Sequence, residues 1–133
     1  MTVAKAGRLV NPGDAVDTVL DTFVSDSAVG SIGANFTLVD AQVRALLDLH
    51  LVFFSLAVTT TNALTASSGN IADVSCFTLD TEYRPSDPVA SAFGSSVTGF
   101  AVLNTNGTVG LWTASDTVAA GSTLRMSFTF LRP

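Results

Sequence analysis

Charge is scarce in this chain. Charged side chains make up 13% of its 133 residues, against about 25% in ordinary soluble domains. A folded monomer therefore has few ionic groups with which to cover its surface, and part of that surface is expected to be buried in an assembly. Six basic and eleven acidic residues give a formal net charge of -5 at pH 7. That is the wrong sign for neutralising a phosphate backbone, so no nucleic-acid partner is expected. Cysteine is rarer still: the single Cys76 cannot close an internal disulfide. It lies in the apolar run Ile71 to Leu79 and reads as a small hydrophobe. Long apolar runs are missing too. The greasiest stretch, Ala45 to Val58, is interrupted by Asp48 and His50 and falls short of the roughly 20 residues of a spanning helix, so no membrane insertion is expected. Met1 to Asn11 carries Lys5 and Arg8 with no apolar segment after them. This predicts no signal peptide and a product that stays in the compartment where it is made.

Catalytic groups are equally sparse. The only imidazole is His50, read as lying mid-strand, with no serine or cysteine at a recognisable spacing for a nucleophile and its base. A packed or surface hydrogen-bonded histidine is the expectation. Cys76 and His50 together supply too few ligands for a zinc site. The carboxylates Asp14, Asp17, Asp21 and Asp26 match no calcium loop and read as a solvated face. Asp80, Glu82 and Asp87 are acids of the kind a glycosidase pairs, but they read as decoration of a turn. No phosphate-cradling glycine loop is present. The expectation is a non-enzymatic protein with no metal and no cofactor.

What is abundant is apolar character, at 47% of residues. The length suits one domain with one core. From Phe36 onward, short apolar runs alternate with turn residues, the signature of an all-β sandwich or barrel. Leu124, Met126, Phe128 and Phe130 alternate with Arg125, Ser127, Thr129 and Leu131, a period of two that puts the large groups on one face of a final strand. Thr105-Asn106-Gly107 between Gly99 to Asn104 and Thr108 to Trp112 predicts a hairpin, because Asn-Gly tolerates positive φ. Gln42 to Thr59 reads as one long strand whose odd positions Val43, Ala45, Leu47, Leu49, Leu51 and Phe53 form an apolar file. Val39, Val43, Leu46, Leu47 and His50 also fit helical spacing, but the branched and aromatic residues downstream favour strand. Thr59 to Asn70 reads as an exposed connection, and Pro85 and Pro88 flank another. Residues 1–35 are expected to be an N-terminal arm with one edge strand, the arm opened by the turn Asn11-Pro12-Gly13-Asp14. Residues 36–133 are expected to be the sandwich.

The order of elements in the second half carries a resemblance. Phe77-Thr78-Leu79-Asp80-Thr81-Glu82-Tyr83-Arg84-Pro85-Ser86 gives an apolar-leucine step and then an aromatic-Arg-Pro turn. Thr98 to Leu103, Asn106-Gly107-Thr108-Val109 and Leu124 to Leu131 follow. In this order and spacing the chain resembles the head domain of bacteriophage receptor-binding proteins, tail fibres and upper baseplate proteins, and Gln42 to Val58 looks like that family's long first core strand. The likeness spans roughly residues 36 to 131. It departs where Glu82 replaces the usual glycine and where no coiled-coil or collagen-like shaft precedes the domain. The resemblance implies an antiparallel β-sandwich, jelly-roll-like, assembled as a homotrimer. It implies a virion protein assembled in the host cytoplasm, attached at the tail tip or baseplate to other virion proteins and contacting a host-surface glycan or protein. A capsid decoration (cement) protein whose arm lies along the shell is the alternative, and a small carbohydrate-active enzyme a second. In Tyr83-Arg84-Pro85 the proline fixes the turn and Arg84 bonds carbonyls or an acid such as Asp87; the other reading puts Tyr83 and Arg84 on a binding face. Trp112 stacks a sugar, anchors a subunit contact, or closes a core edge.

Overall fold

The computed structural model describes residues 22–94 and 97–133. Of residues 1–35, expected to be an arm with one edge strand, residues 1–21, with Asp14, Asp17 and Asp21, lie outside them, and residues 22–35 supply two edge strands. Nine strands are present among the described residues: β1 Thr22–Ser25, β2 Gly30–Ile32, β3 Phe36–Leu46, β4 Leu51–Thr60, β5 Asn70–Leu79, β6 Val89–Gly94, β7 Thr98–Leu103, β8 Thr108–Ala114 and β9 Thr123–Leu131. They form one antiparallel sheet in the order β1-β3-β4-β9-β6-β7-β8-β5-β2. The all-β expectation holds, and the sandwich takes the form of a single curled sheet.

Sequence neighbours explain the curl. β1 and β2 stand at opposite edges of the strand order, yet only the short 3₁₀ turn Asp26–Ala28 and Val29 separate them in the chain. The two edges must therefore lie close together, which folds the sheet into a front layer, β1-β3-β4-β9, and a back layer, β6-β7-β8-β5-β2. Main-chain bonds fasten this clasp: Val29 N–H donates to Asp26 O at 3.0 Å and Asp80 N–H to Val29 O at 2.8 Å. The Val29 side chain is fully buried beneath it. At the opposite side the layers join through the pairing of Gly94 with Arg125.

Between the layers lies one apolar core. β9 contributes Leu124, Met126, Phe128 and Phe130, all buried as their alternation predicts. Phe54 on β4 is the hinge of the packing, its ring 5.8 Å from Phe77 on β5 across the gap and 5.8 Å from Phe128 on β9 beside it. Thr60 is the buried polar side chain of this core, and its hydroxyl is satisfied by donating to Ala119 O at 3.0 Å.

Gln42 to Thr59 is not one strand. The chain reverses through the 3₁₀ turn Leu47–Leu49 and His50, whose φ of 56° is left-handed, and β3 pairs with β4 from Phe36↔Thr60 to Leu46↔Leu51. The reversal switches which positions face inward: Ala41, Val43 and Ala45 are buried on β3, but Val52, Phe54, Leu56 and Val58 on β4. Leu49 and Phe53, which continue the odd-numbered apolar file in sequence, are consequently exposed. Histidine is among the few non-glycine residues that accept a left-handed backbone readily, and here it ends the strand it was expected to occupy. The Asn-Gly hairpin forms as predicted, with Gly107 at φ 89° between β7 and β8.

Candidate binding surfaces

Cross-strand register builds the outer face of the front layer row by row. Phe23, Arg44, Phe53 and Thr129 are directly paired across four strands, and Ser25, Gln42, Ser55 and Ser127 form the adjoining row. Leu46, Leu51 and Leu131 form the row on the other side of Phe53. The result grades from apolar to polar. Phe23 is 58% exposed, Phe53 42% and Leu131 57%, although full burial of such side chains is worth about 1.5–3 kcal/mol each. The Arg44 guanidinium lies 5.0 Å from the centre of the Phe23 ring, close enough for a cation–π attraction. A shallow groove of about 190 Å³ runs along the two aromatic and polar rows, between Gln42, Arg44, Phe53, Ser55, Ser127 and Thr129. Hydroxyl, amide and guanidinium groups beside an exposed aromatic face suit either a saccharide or the polar rim of a subunit contact.

Two further exposed aromatics, Phe100 and Trp112, lie on the back layer. Phe100 pairs with Thr113 while Ala101 pairs with Leu111, so Trp112 is the extra residue of a β-bulge. The bulge swings the indole over Gly110, where an added Cβ would stand 3.3 Å from Trp112 Nε1. Trp112 is thus exposed at a strand bulge, next to the residue that pairs with Phe100, and not inside the core.

The Tyr83-Arg84-Pro85 turn is built differently. Asp80 caps the short 3₁₀ turn Thr81–Tyr83, its Oδ1 accepting from Thr81 N–H at 3.0 Å. Tyr83 is buried, and Arg84 Nε donates to Leu79 O at 3.0 Å. Arg84 therefore bonds a carbonyl and braces the turn, while Tyr83 and Trp112 stand on different parts of the molecule. His50 is exposed at its turn, with Nδ1 3.0 Å from Pro133 O. Asp26, one of the acids read as a solvated face, accepts from Ala41 N–H at 3.4 Å through Oδ1. No group of three His, Cys, Asp or Glu side chains among the described residues could hold a metal ion. No helix among them is long and apolar enough to cross a membrane.

Cys76 is fully buried, and burial lifts its thiol from the ordinary 9.0 to about 12, outweighing the opposite pull of a backbone hydrogen bond. Two results follow. A thiol reagent at neutral pH is expected to label Cys76 only through unfolding, because the reactive thiolate is absent. Both states keep the proton below pH 9.0, whereas between 9.0 and about 12 the unfolded chain loses it and the folded one does not. Folding stability is thus present below pH 9.0 and declines as pH rises through that window. Urea melts across it are expected to show a shallower decline in Cys76→Ala; an unchanged slope would contradict the assignment. Part of the decline should persist, since burial and then Glu82 and Asp80 raise the Tyr83 hydroxyl also, with Arg132 opposing them.

This geometry defines an all-β sandwich formed by one curled antiparallel sheet. No family model matches the chain, and no curated protein matches it. Among solved structures it is similar to the receptor binding protein (gp15) of Listeria phage PSA, with a TM-score of 0.60 at 13% identity over 91% of this chain and 71% of that one. The two share a fold.

Proposed function

We propose that this chain is a bacteriophage virion structural protein of receptor-binding-head type, seated at the tail tip or baseplate as a homotrimer. It has no enzymatic step in this reading. Residues 1–35 supply the docking arm together with the edge strands β1 and β2, which complete the sheet of the head built from residues 36–133. The fold shared with a phage receptor binding protein supports the class. The observation that carries the assembly is the outer face of the front layer, where Phe23, Phe53 and Leu131 remain in solvent on a chain that is only 13% charged. Exposed apolar patches of this kind mark interaction surfaces. Trp112 with Phe100 remains for a host-surface glycan or protein, since aromatic residues anchor such contacts.

Size-exclusion chromatography with light scattering tests the assembly. The wild type is expected to elute with the mass of three chains at micromolar concentration. Phe53→Asp, which buries a charge in the proposed contact, is expected to elute as a monomer with an unchanged circular dichroism spectrum. A monomeric wild type would overturn the trimer. Counting the chain in purified particles tests the location: few copies at one end of the particle support the tail, and a number in multiples of the capsid's quasi-threefold positions would move the chain to the shell.

A further inference from the structure

Beyond these faces, a cavity of about 400 Å³ opens between the Tyr83-Arg84-Pro85 turn and the end of β9, lined by Thr81, Glu82, Arg84, Pro85, Thr105 and Arg132 with Pro133. Its volume falls within the range of roughly 300–1,000 Å³ usual for small-ligand sites. Its lining side chains include two guanidinium groups and one carboxylate, on a protein whose net charge is -5.

The two arginines are held in different ways. Arg84 is fixed: its Nε donates to Leu79 O at 3.0 Å. Its stem lies so close over Gly107 that a Cβ there would stand 2.6 Å from Nε and 3.2 Å from Cδ. This leaves both Nη groups of Arg84 for other acceptors. Arg132 is loosely held. Its side chain makes one long contact, Nη1 to Glu82 O at 3.4 Å, and its Nε is buried with no acceptor among the described residues. An unpartnered buried donor is costly, and native structures rarely keep one without a reason.

We propose that this cavity is a binding site for an oxyanion, the carboxylate or phosphate group of a small ligand or of a polymer end. A guanidinium presents paired donors in a fork that matches either group. Arg84 supplies a fixed edge. Arg132 supplies the second, and the anion gives its Nε the acceptor it lacks. Thr81 and Thr105 contribute hydroxyls at the wall.

The test is a titration of the intact chain with sodium phosphate and with D-glucuronate, at matched ionic strength, with glucose as the neutral control. The arginine Nε–Hε resonances are the readout. Saturable shifts at Arg84 and Arg132 are expected with at least one oxyanion and not with glucose. Response to phosphate alone assigns a phosphate-bearing ligand, and response to glucuronate alone a carboxylate-bearing one. Arg132→Gln is expected to weaken the dissociation constant about tenfold, equivalent to about 1.4 kcal/mol, without moving the melting temperature. Arg132→Lys keeps the charge but loses the fork, and is expected to weaken binding as well. No saturable shift with either anion, or shifts at Arg84 of undiminished affinity in both variants, would overturn the proposal.

Discussion

Phe54→Ala is expected to lower the melting temperature by roughly 10–20 °C. Phe54 is 1% exposed, and its ring lies 5.8 Å from Phe77 and 5.8 Å from Phe128. Its removal deletes contacts within the front layer and across to the back layer together. Truncating a buried phenylalanine costs about 3–5 kcal/mol, the upper end applying where strands cannot collapse into the void. Here they cannot, because β4 is hydrogen-bonded on both sides, to β3 and to β9. Differential scanning calorimetry on wild type and variant reads the effect. A shift of only a few degrees would mean that the two layers are not held by this cluster.

Gly99→Ala is expected to be as damaging, although it adds a single methyl group. A Cβ at Gly99 would overlap the Thr113 carbonyl oxygen and the Phe93 ring. One obstacle is a main-chain atom inside the β7–β8 ladder and the other a ring only 2% exposed, so neither can give way cheaply. Overpacking costs about 1–3 kcal/mol, and more where backbone must move. The disturbance falls on the bulge that presents Trp112. Because Trp112 is the only tryptophan, its fluorescence should shift along with the loss of stability. Gly94→Ala is the matched control, since nothing lies within 4 Å of the added Cβ there. It should change stability by no more than about 0.5 kcal/mol. Equal melting temperatures for the Gly99 and Gly94 variants would refute the close approach of β7 to β8.

What could be seen in the sequence depended on where the turns lay. β9 and the β7–β8 hairpin were legible because strict alternation and an Asn-Gly pair are local signals. The β3–β4 hairpin was hidden because its loop, Leu47-Asp48-Leu49-His50, contains no glycine, proline or asparagine. Its leucines also carry the apolar file straight through the bend. The available sign was the change of parity, from Val43 and Ala45 to Val52 and Phe54. Reading that turn as strand also concealed the front face, since it set Phe53 in one file with Val43 and Ala45, which the structure buries, and left Phe23 without its neighbours. The role of Arg84 in bracing its turn was legible as one of two readings. The contact that fixes its stem, with Gly107 in another hairpin, was not, because it depends on how distant strands come together. Nothing local in the sequence marks Trp112 as the product of a bulge, which only the register of β7 against β8 reveals.

The position of β9 between β4 and β6 sets the timetable of folding. β4 ends at Thr60 and its second partner begins at Thr123, so the pair cannot form until the long segment between them and β9 itself have been synthesised. At about 5–20 residues per second, ribosomal elongation leaves the Val-Phe-Phe-Ser-Leu-Ala-Val edge of β4 waiting for seconds. Nucleation by so remote a partner is slow, and over that interval the nascent chain offers an open strand to any neighbour. Until β9 arrives, this edge of β4 is a template for strand pairing between identical nascent chains on one message.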